Sequence, residues 1–481
     1  MTPHSDGVSL SVFAQLRRLE LIILFAAVFA VGWPSVFGVR PRRGLVALAL
    51  SAALFAQLQF EGFRWQMIPL YLVAAGLTVG DILFIERSLD WSRRVLRALL
   101  GAVGLGLVVL LPIVIPVPEL PPPSGPEDLG TFTVELIDRS RDELYGDPAG
   151  GPREFMAQVW YPARSSDGEP AVPWSVDWEI VAPAIAREMG LPSWFWNHTG
   201  YTASHAHESA PEVAGTFPVL VYSHGWSGIR TNTLNQIEHL VSNGYIVIAP
   251  DHSFAAVATV LEDGDVIYKD PDAIPEPGTV PEIEYKDAVT NLVGVIADDL
   301  VTVVTELEEG ETGAFGSLAD AIDLNRIGFY GHSAGGGAAI KVCLEIERCR
   351  AVLAMDPWVD GLTESDLQQT LTRPALYMRS DDWVDTPNDG LLRGIAARGE
   401  SITYLVHIEG AWHNDFLMTP LMTPLASQFG LKGPIPASRV ILAINNYLRG
   451  FFDVFLLETG TAALDAVTYE EVDVAVVDHR S

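Results

Sequence analysis

Cysteine and lysine are the residues this chain nearly does without. Cys343 and Cys349 are the only cysteines in 481 residues, which excludes a disulfide-rich scaffold and a cysteine-based zinc site. Their expected state is two free thiols buried as small apolar groups, with a bond between them as the alternative outside the cytoplasm. The lysines are Lys269, Lys286, Lys341 and Lys432; arginine brings the basic total to 30 against 61 acidic residues, a net charge of −31. So acidic a chain repels phosphate backbones, so nucleic acid is not an expected partner. The imbalance is uneven, because Met1–Glu119 holds ten arginines and seven acidic residues and is +3, leaving −34 on the remainder.

Charge of either sign is scarce between Leu19 and Val117, where most of the apolar surplus behind the mean hydropathy of +0.23 is gathered. Four stretches there, Leu19–Val39, Gly44–Phe60, Met67–Ile85 and Leu96–Val117, have about the length needed to cross a hydrocarbon core as helices. A cleaved signal peptide would explain only the first of them. Residues 1–118 are therefore expected to form a membrane domain of four transmembrane helices. The first and third connections carry seven arginines (Arg40, Arg42, Arg43, Arg87, Arg93, Arg94, Arg97), whereas the N-terminal segment and second connection carry Arg17, Arg18 and Arg64. Arginine-rich loops stay cytoplasmic, so an even number of spans leaves the rest of the chain extracytoplasmic. Asp81 is the one carboxylate well inside an apolar run, near enough to a helix end to reach the interface. Residues 119–130 follow as a linker, with Pro121, Pro122, Pro123 and Pro126 favouring a stiff, extended spacer.

From 131 to 460 short β-branched runs alternate with longer helical ones. Strands are expected at Met156–Trp160, Val219–Tyr222, Tyr245–Ile248, Ile327–Tyr330, Ala351–Ala354, Ala375–Met378 and Thr403–His407. Helices are expected at Thr233–Ser242, Asp287–Leu307, Ala334–Glu347 and Ala437–Phe452. That alternation builds βαβ units and a mainly parallel sheet, with ligands bound beyond the C-terminal ends of its strands. The last segment, 461–481, reads as an acidic tail.

Gly331-His332-Ser333-Ala334-Gly335 joins one of these strands to an Ala-rich helix. The pattern G-x-S-x-G alone is weak evidence in a chain with 42 glycines, but a strand before it and a helix after it make it a nucleophile elbow. The serine is held exposed at a sharp turn, and the next N–H is aimed at a developing oxyanion. The fold class is thus α/β, of the α/β-hydrolase type, and Ser333 is the candidate nucleophile. In that fold the order along the chain is nucleophile, acid, histidine. Only His407, His413 and His479 follow Ser333. His407 lies within a strand and His479 beside the C-terminus; His413, in the loop after the last strand, is the candidate base. Two places offer the acid: Asp356 after the strand Ala351–Ala354, or Asp381, Asp382 and Asp385 after Ala375–Met378. The second oxyanion donor is expected from the loop Ser223-His224-Gly225-Trp226, so that the N–H groups of Trp226 and Ala334 share the charge.

Val159-Trp160-Tyr161-Pro162, Ser223-His224-Gly225 with Arg230-Thr231, the strand ending in Asp251-His252, Cys349 with Ala354-Met355-Asp356-Pro357-Trp358, and His413-Asn414-Asp415-Phe416 occur in an order that resembles the platelet-activating-factor acetylhydrolases. The resemblance spans about Met156 to Phe416. It implies an α/β-hydrolase with Asp356 as the acid, acting without metal or cofactor on esters with short or oxidised acyl chains. The partners it implies are an ester or phospholipid substrate and, with the membrane domain, a lipid bilayer. Four spans are foreign to the family pattern, the His413 loop is compressed, and the stretch from Trp194 to His207, rich in aromatics and histidine, has no counterpart. A polyester or general carboxylesterase with the same residues is the alternative enzyme. A receptor-like membrane protein with an inactive hydrolase domain is the alternative of another class.

Overall fold

The computed structural model of the chain describes residues 16–37, 41–42, 44–83, 90–146, 149–164, 170–461, 464 and 467–478. These separate into two compact units. One comprises the N-terminal segment through Pro118 together with Asn197–Tyr201 and Met422–Leu425; the other holds the remainder.

In the first unit, helices α1 (Arg18–Phe37), α2 (Leu45–Phe60), α3 (Ile68–Leu83) and α4 (Trp91–Val114) account for the four apolar stretches. α1, α4 and Trp65–Leu83 are long and apolar enough to cross a membrane. α2, with 16 residues, spans about 24 Å at about 1.5 Å per residue and falls short of a core of about 30 Å. Small and medium side chains such as Ala27, Ala30, Leu50, Ala53 and Ala74 fill the space between the helices. Large ones, among them Phe25, Leu48, Phe55, Leu72 and Leu107, point outward and are exposed. Asp81 accepts hydrogen bonds from the N–H groups of Gly44 and Ala47 at 2.9 and 3.1 Å. It satisfies the orphan donors at the start of α2, so its role within the described residues is a helix cap. A buried Glu20–Arg64 ion pair, with Arg64 Nε 2.6 Å from the carboxylate, joins α1 to the α2–α3 connection. Of the orienting charges, Arg40, Arg43 and Arg87 lie outside the described residues, as do the expected span ends at Val39 and Ile85.

Among the described residues, the second unit is built on one mixed sheet of eleven strands. Its strands are β1 (Asp128–Asp142), β2 (Pro152–Ala163), β3 (Ala171–Pro173), β4 (Ala203–Glu208), β5 (Phe217–Ser223), β6 (Ile246–Pro250), β9 (Ile322–His332), β10 (Cys349–Met355), β11 (Ala375–Arg379), β12 (Thr403–Ile408) and β13 (Val472–Val477). The hairpin β7 (Ala258–Val260) and β8 (Val266–Tyr268) stands apart. The sheet order is β13-β12-β11-β10-β9-β5-β6-β2-β1-β4-β3, and its six central strands from β12 to β6 run parallel. Its helices are α5 (Trp178–Glu188), α6 (Leu234–Ser242), α7 (Glu282–Glu308), α8 (Ala334–Glu345), the short α9 (Glu364–Gln368), α10 (Pro387–Arg398), the single turn α11 (Thr419–Met422, which ends in the first unit), and α12 (Ala437–Leu456). The sheet is covered on both faces: a Cβ on Gly328 would sit 2.8 Å from Phe452 of α12, while Phe329 packs into a core cluster with α7 and α8. Strands buried on both sides need continuous apolar runs, as β5, β6 and β11 have. α7 has the length and composition of a membrane span too, but Leu292, Val293, Ile296, Leu300 and Val303 lie in this core.

Three expectations need correction. Cys343 and Cys349 are disulfide-bonded rather than free, with Cα atoms 5.2 Å apart; the turn between α8 and β10 returns the chain within bonding range. The stretch 461–481 contains a strand, because β13 pairs antiparallel with β12 from Thr403↔Val477 to Ile408↔Val472. The linker is shorter than expected, since Gly125 and Glu127 donate to Ser242 at 3.1 Å each and β1 begins at Asp128.

A chain ending at residue 460 loses β13 and the Arg439–Glu471 ion pair. Its Tm, followed by circular dichroism on detergent-solubilised protein, should fall by about 5 °C. A second expectation concerns pH. Burial first, then a neighbouring imidazole or guanidinium, pushes three histidines down: His224 to about 3 beside His252, His239 to about 4 beside Arg449, and His332 well below its usual value beside His413. The unfolded chain protonates these below about 6.5 while the folded chain does not, so protons favour unfolding. Tm should therefore lose ground as pH falls from about 6.5 toward 4. A Tm that rises across that window would contradict neutral buried histidines.

Candidate active site

The parallel strands β5, β9, β10, β11 and β12 deliver their C-terminal ends to one edge, and every candidate residue sits there. Ser333 follows β9 with φ 57° and ψ −123°, a conformation that side chains rarely adopt and that marks a strained, over-determined turn. The backbone around it supplies the restraint. Ser333 N–H donates to Met355 O at 3.0 Å, and its carbonyl accepts from Trp358 N–H at 2.8 Å and Gly337 N–H at 3.1 Å. Close packing supplies the rest. A Cβ on Gly331 would lie 2.4 Å from Gly335 O, one on Gly335 2.3 Å from Ser223 O, and one on Gly225 2.8 Å from Ser333 Cβ. Ser333 itself is 9 % exposed, so it is nearly but not wholly sealed.

Asp356 follows β10 and is fully buried, with φ 42°. Its carboxylate accepts from Ser380 N–H at 2.7 Å, from the Ser380 hydroxyl, and from His413 Nδ1–H at 3.0 Å. Such donors satisfy the oxygens that burial cuts off from water. His413, past β12, is held four ways: Nδ1 by Asp356, its N–H by Asp382 at 2.8 Å, its carbonyl by His332 Nε2–H at 3.0 Å, and its ring face by Trp383, stacked at 4.9 Å and 9°. The Nδ1 contact leaves Nε2 as the free nitrogen, the tautomer a general base requires. Among the described residues no hydrogen bond joins Ser333 Oγ to His413; the acid–base contact is closed, and His332, the residue before Ser333, packs on the His413 ring at 4.3 Å. Asp381 is placed elsewhere, accepting from His407 Nε2–H at 2.9 Å and Gly410 N–H at 3.0 Å. Of the other aspartates of that loop, Asp382 accepts from the His413 backbone N–H with its carboxylate and does not bond the ring, and Asp385 is exposed. His479 lies outside the described residues.

Ala334 N–H, at the first position of α8, and Trp226 N–H, after β5, donate to no acceptor among the described residues. The loop between β5 and α6 is held open by bonds on either side of Trp226. Gly228 N–H donates to Gly225 O at 2.9 Å, Ser227 N–H donates to Ala255 O at 2.9 Å, and Arg230 pairs with the buried Asp251. Two unpaired donors beside a constrained serine are what an oxyanion site needs. Among the described residues no cluster of His, Cys, Asp and Glu has the form of a metal site; His205 instead bonds Glu238 at 2.7 Å. In the aromatic stretch, Trp196 is buried, with its carbonyl accepting from Trp178 Nε1–H at 3.3 Å, and Trp194 is half exposed.

Ser380, Trp383 and His332 are site residues that the sequence alone does not single out, and Asp382, a candidate acid there, instead holds the His413 backbone N–H. Of the first three only the neighbourhood was visible, each standing at the C-terminal end of a strand or in the loop beyond it.

Residues 296–454, which include Ser333, Asp356 and His413, match the family model described as platelet-activating factor acetylhydrolase, isoform II. Residues 206–267 match a chlorophyllase model. Among curated proteins, the chain is 23 % identical over 261 residues to platelet-activating factor acetylhydrolase of Cavia porcellus, covering 50 % of this chain and 58 % of that one. It is 22 % identical over 347 residues to the same enzyme of Gallus gallus, covering 66 % and 80 %. Against the guinea-pig relative the match thus spans little more than half the relative's length. Among solved structures, a ferulic acid esterase from Streptomyces cinnamoneus superposes with a TM-score of 0.61 at 24 % identity, covering 74 % of this chain and 99 % of that one. At that identity the likeness is one of fold, and a mainly parallel sheet flanked by helices, with its candidate residues at the C-terminal edge, is consistent with the α/β-hydrolase fold.

Proposed function

We propose that the chain is a membrane-tethered serine hydrolase that cleaves carboxylic esters, with Ser333 as nucleophile, His413 as base, Asp356 as its orienting acid, and the N–H groups of Trp226 and Ala334 as oxyanion donors. The observation that carries this is the 3.0 Å bond between buried Asp356 and His413 Nδ1, beside a serine held at positive φ. His413 Nε2 takes the Ser333 proton as Oγ attacks the ester carbonyl. The negative charge then forms on the carbonyl oxygen between the two backbone donors, and collapse passes the proton to the leaving alcohol. Water activated by the same nitrogen releases the acid and restores Ser333. The low-identity relatives are acetylhydrolases by name, which supports phospholipid-like esters with short or oxidised acyl chains as the substrate class.

Exposed large apolar side chains on α1, α2, α3 and α4 support the bilayer as the first unit's surroundings. The Cys343–Cys349 bond supports an oxidising, extracytoplasmic location for the second unit.

A fluorophosphonate probe should label wild type and fail on Ser333→Ala; no label on folded wild type would leave an inactive receptor-like protein as the better reading. Asp356→Asn should lower kcat by about 10³ to 10⁴, as loss of the orienting carboxylate does in other triads. Asp381→Asn should stay within about tenfold, since Asp381 acts on His407 and Gly410 rather than on the base. Kinetics on short-acyl phospholipids, p-nitrophenyl esters and polyester film test the substrate class, which is wrong if film is degraded and phospholipid untouched. Alkaline carbonate washing should leave the full chain in the membrane pellet; recovery in the supernatant would count against the tether.

A further inference from the structure

A second serine–histidine–aspartate chain lies behind the site. Ser223 Oγ is 2.9 Å from His252 Nε2, and His252 Nδ1 is 3.0 Å from Asp299 Oδ2. All three residues are fully buried, so no substrate reaches them and a second catalytic centre is excluded. The carboxylate is ionised despite its burial. Burial alone would raise the Asp299 carboxyl, but Arg153 and then His252 hold it below the ordinary carboxylate range. Arg153 contacts it through Nε at 3.0 Å and a terminal nitrogen at 2.7 Å, and Arg141 adds a contact at 2.9 Å. Burying such a network is costly unless every member is satisfied.

The path from this network to the reacting atoms runs through His224. The backbone N–H of His252, whose ring is held by Ser223 and Asp299, donates to His224 Nε2 at 3.0 Å. That nitrogen is therefore the acceptor, and Nδ1–H is the donor that reaches Gly225 O at 2.8 Å. Gly225 O also receives Gly228 N–H at 2.9 Å. The Gly225 carbonyl and the Trp226 N–H belong to one planar trans peptide and point in opposite directions. Two donors on the carbonyl consequently fix where the Trp226 N–H aims, and Gly225 packs directly on Ser333. Ser223 closes the circuit, since its carbonyl lies against Gly335 of the elbow.

We propose that Asp299, His252 and Ser223 are positioning residues that hold the His224–Gly225 peptide and so aim the Trp226 N–H at the oxyanion of the ester reaction. This rests on the reading of Ser333 as nucleophile and Trp226 as an oxyanion donor. Misaiming one preorganised donor removes transition-state binding while leaving ground-state binding intact, so kcat falls and KM holds.

The test uses the full-length protein in detergent, with active sites counted by fluorophosphonate labelling, and compares wild type with His252→Gln, Ser223→Ala and Ser333→Ala. Loss of one oxyanion donor costs about 10² to 10³ in kcat, so partial misalignment should cost less: about 30-fold in His252→Gln and about fivefold in Ser223→Ala, with KM within about threefold. Affinity for a trifluoromethyl ketone, which forms the tetrahedral oxyanion on Ser333, should weaken in step with kcat/KM. A merely structural role would lower Tm and the labelled fraction while kcat per labelled site stayed at the wild-type value. Wild-type kcat and ketone affinity in either folded variant, with Ser333→Ala dead, overturns the positioning role alone. Should His252→Gln not fold, Ser223→Ala, which removes a single hydroxyl, decides by the same criterion. Full turnover in Ser333→Ala overturns the proposed function and this inference with it.

Discussion

The elbow at Ser333 depends on backbone packed directly against backbone. Gly331, Gly335 and Gly225 each lack the Cβ that would sit well inside van der Waals contact with a neighbouring carbonyl or with Ser333 itself. The positive φ at Ser333 follows from that closeness and is locked by hydrogen bonds to Met355, Trp358 and Gly337. Strain of this kind persists only where the surroundings over-determine it. Here three parallel strands and the first turn of α8 do so. Because β5, β9 and β10 are adjacent in the sheet, the same packing brings the loop after β5 and the aspartate after β10 to the serine.

The buried carboxylates near the site are held by hydrogen-bond donors rather than by water. Asp356 is buried among donors from Ser380 and His413, and Asp299 among two arginines and a histidine. Each carboxylate meets a histidine Nδ1, but access differs: the His413 partner is partly exposed at the strand ends, and the His252 partner is sealed. A buried carboxylate left with one missing partner costs several kcal/mol, about 3–5, so these networks tolerate few substitutions. In the helical unit the same rule appears as Asp81 on the open N-terminus of α2 and Glu20 against Arg64.

Much of this architecture was legible from residue patterns. All seven expected strands occur, because strands buried on both faces must be continuously apolar, and that signal survives without knowledge of partners. β1 and β13 were not read as strands. β1 is a long strand toward the sheet's margin that is buried at its start and largely half-buried or exposed beyond it, and β13 is a largely exposed edge strand that carries Asp473. Strands with one wet face need a pairing partner to be recognised, and the partner is distant in sequence. The cysteine pairing was missed for a related reason, since six residues of separation do not reveal whether a helix end and a strand start turn back on one another.

The sequence by itself determined the chemistry on offer: a serine between glycines at a strand-to-helix turn, one histidine in a loop after the last parallel strand, and an apolar first quarter. Those features are local, set by side-chain volume, backbone freedom and hydropathy over a few residues. Only the tertiary structure decided which carboxylate serves which histidine. Asp356 and Asp381 both end neighbouring strands, and their roles separate only when β10, β11 and β12 are laid side by side, so that Asp356 faces His413 and Asp381 faces His407. The buried chain from Asp299 to Ser223 is likewise a product of strand order, because its members stand 47 and 29 residues apart and meet only where β5 and β6 end beside α7.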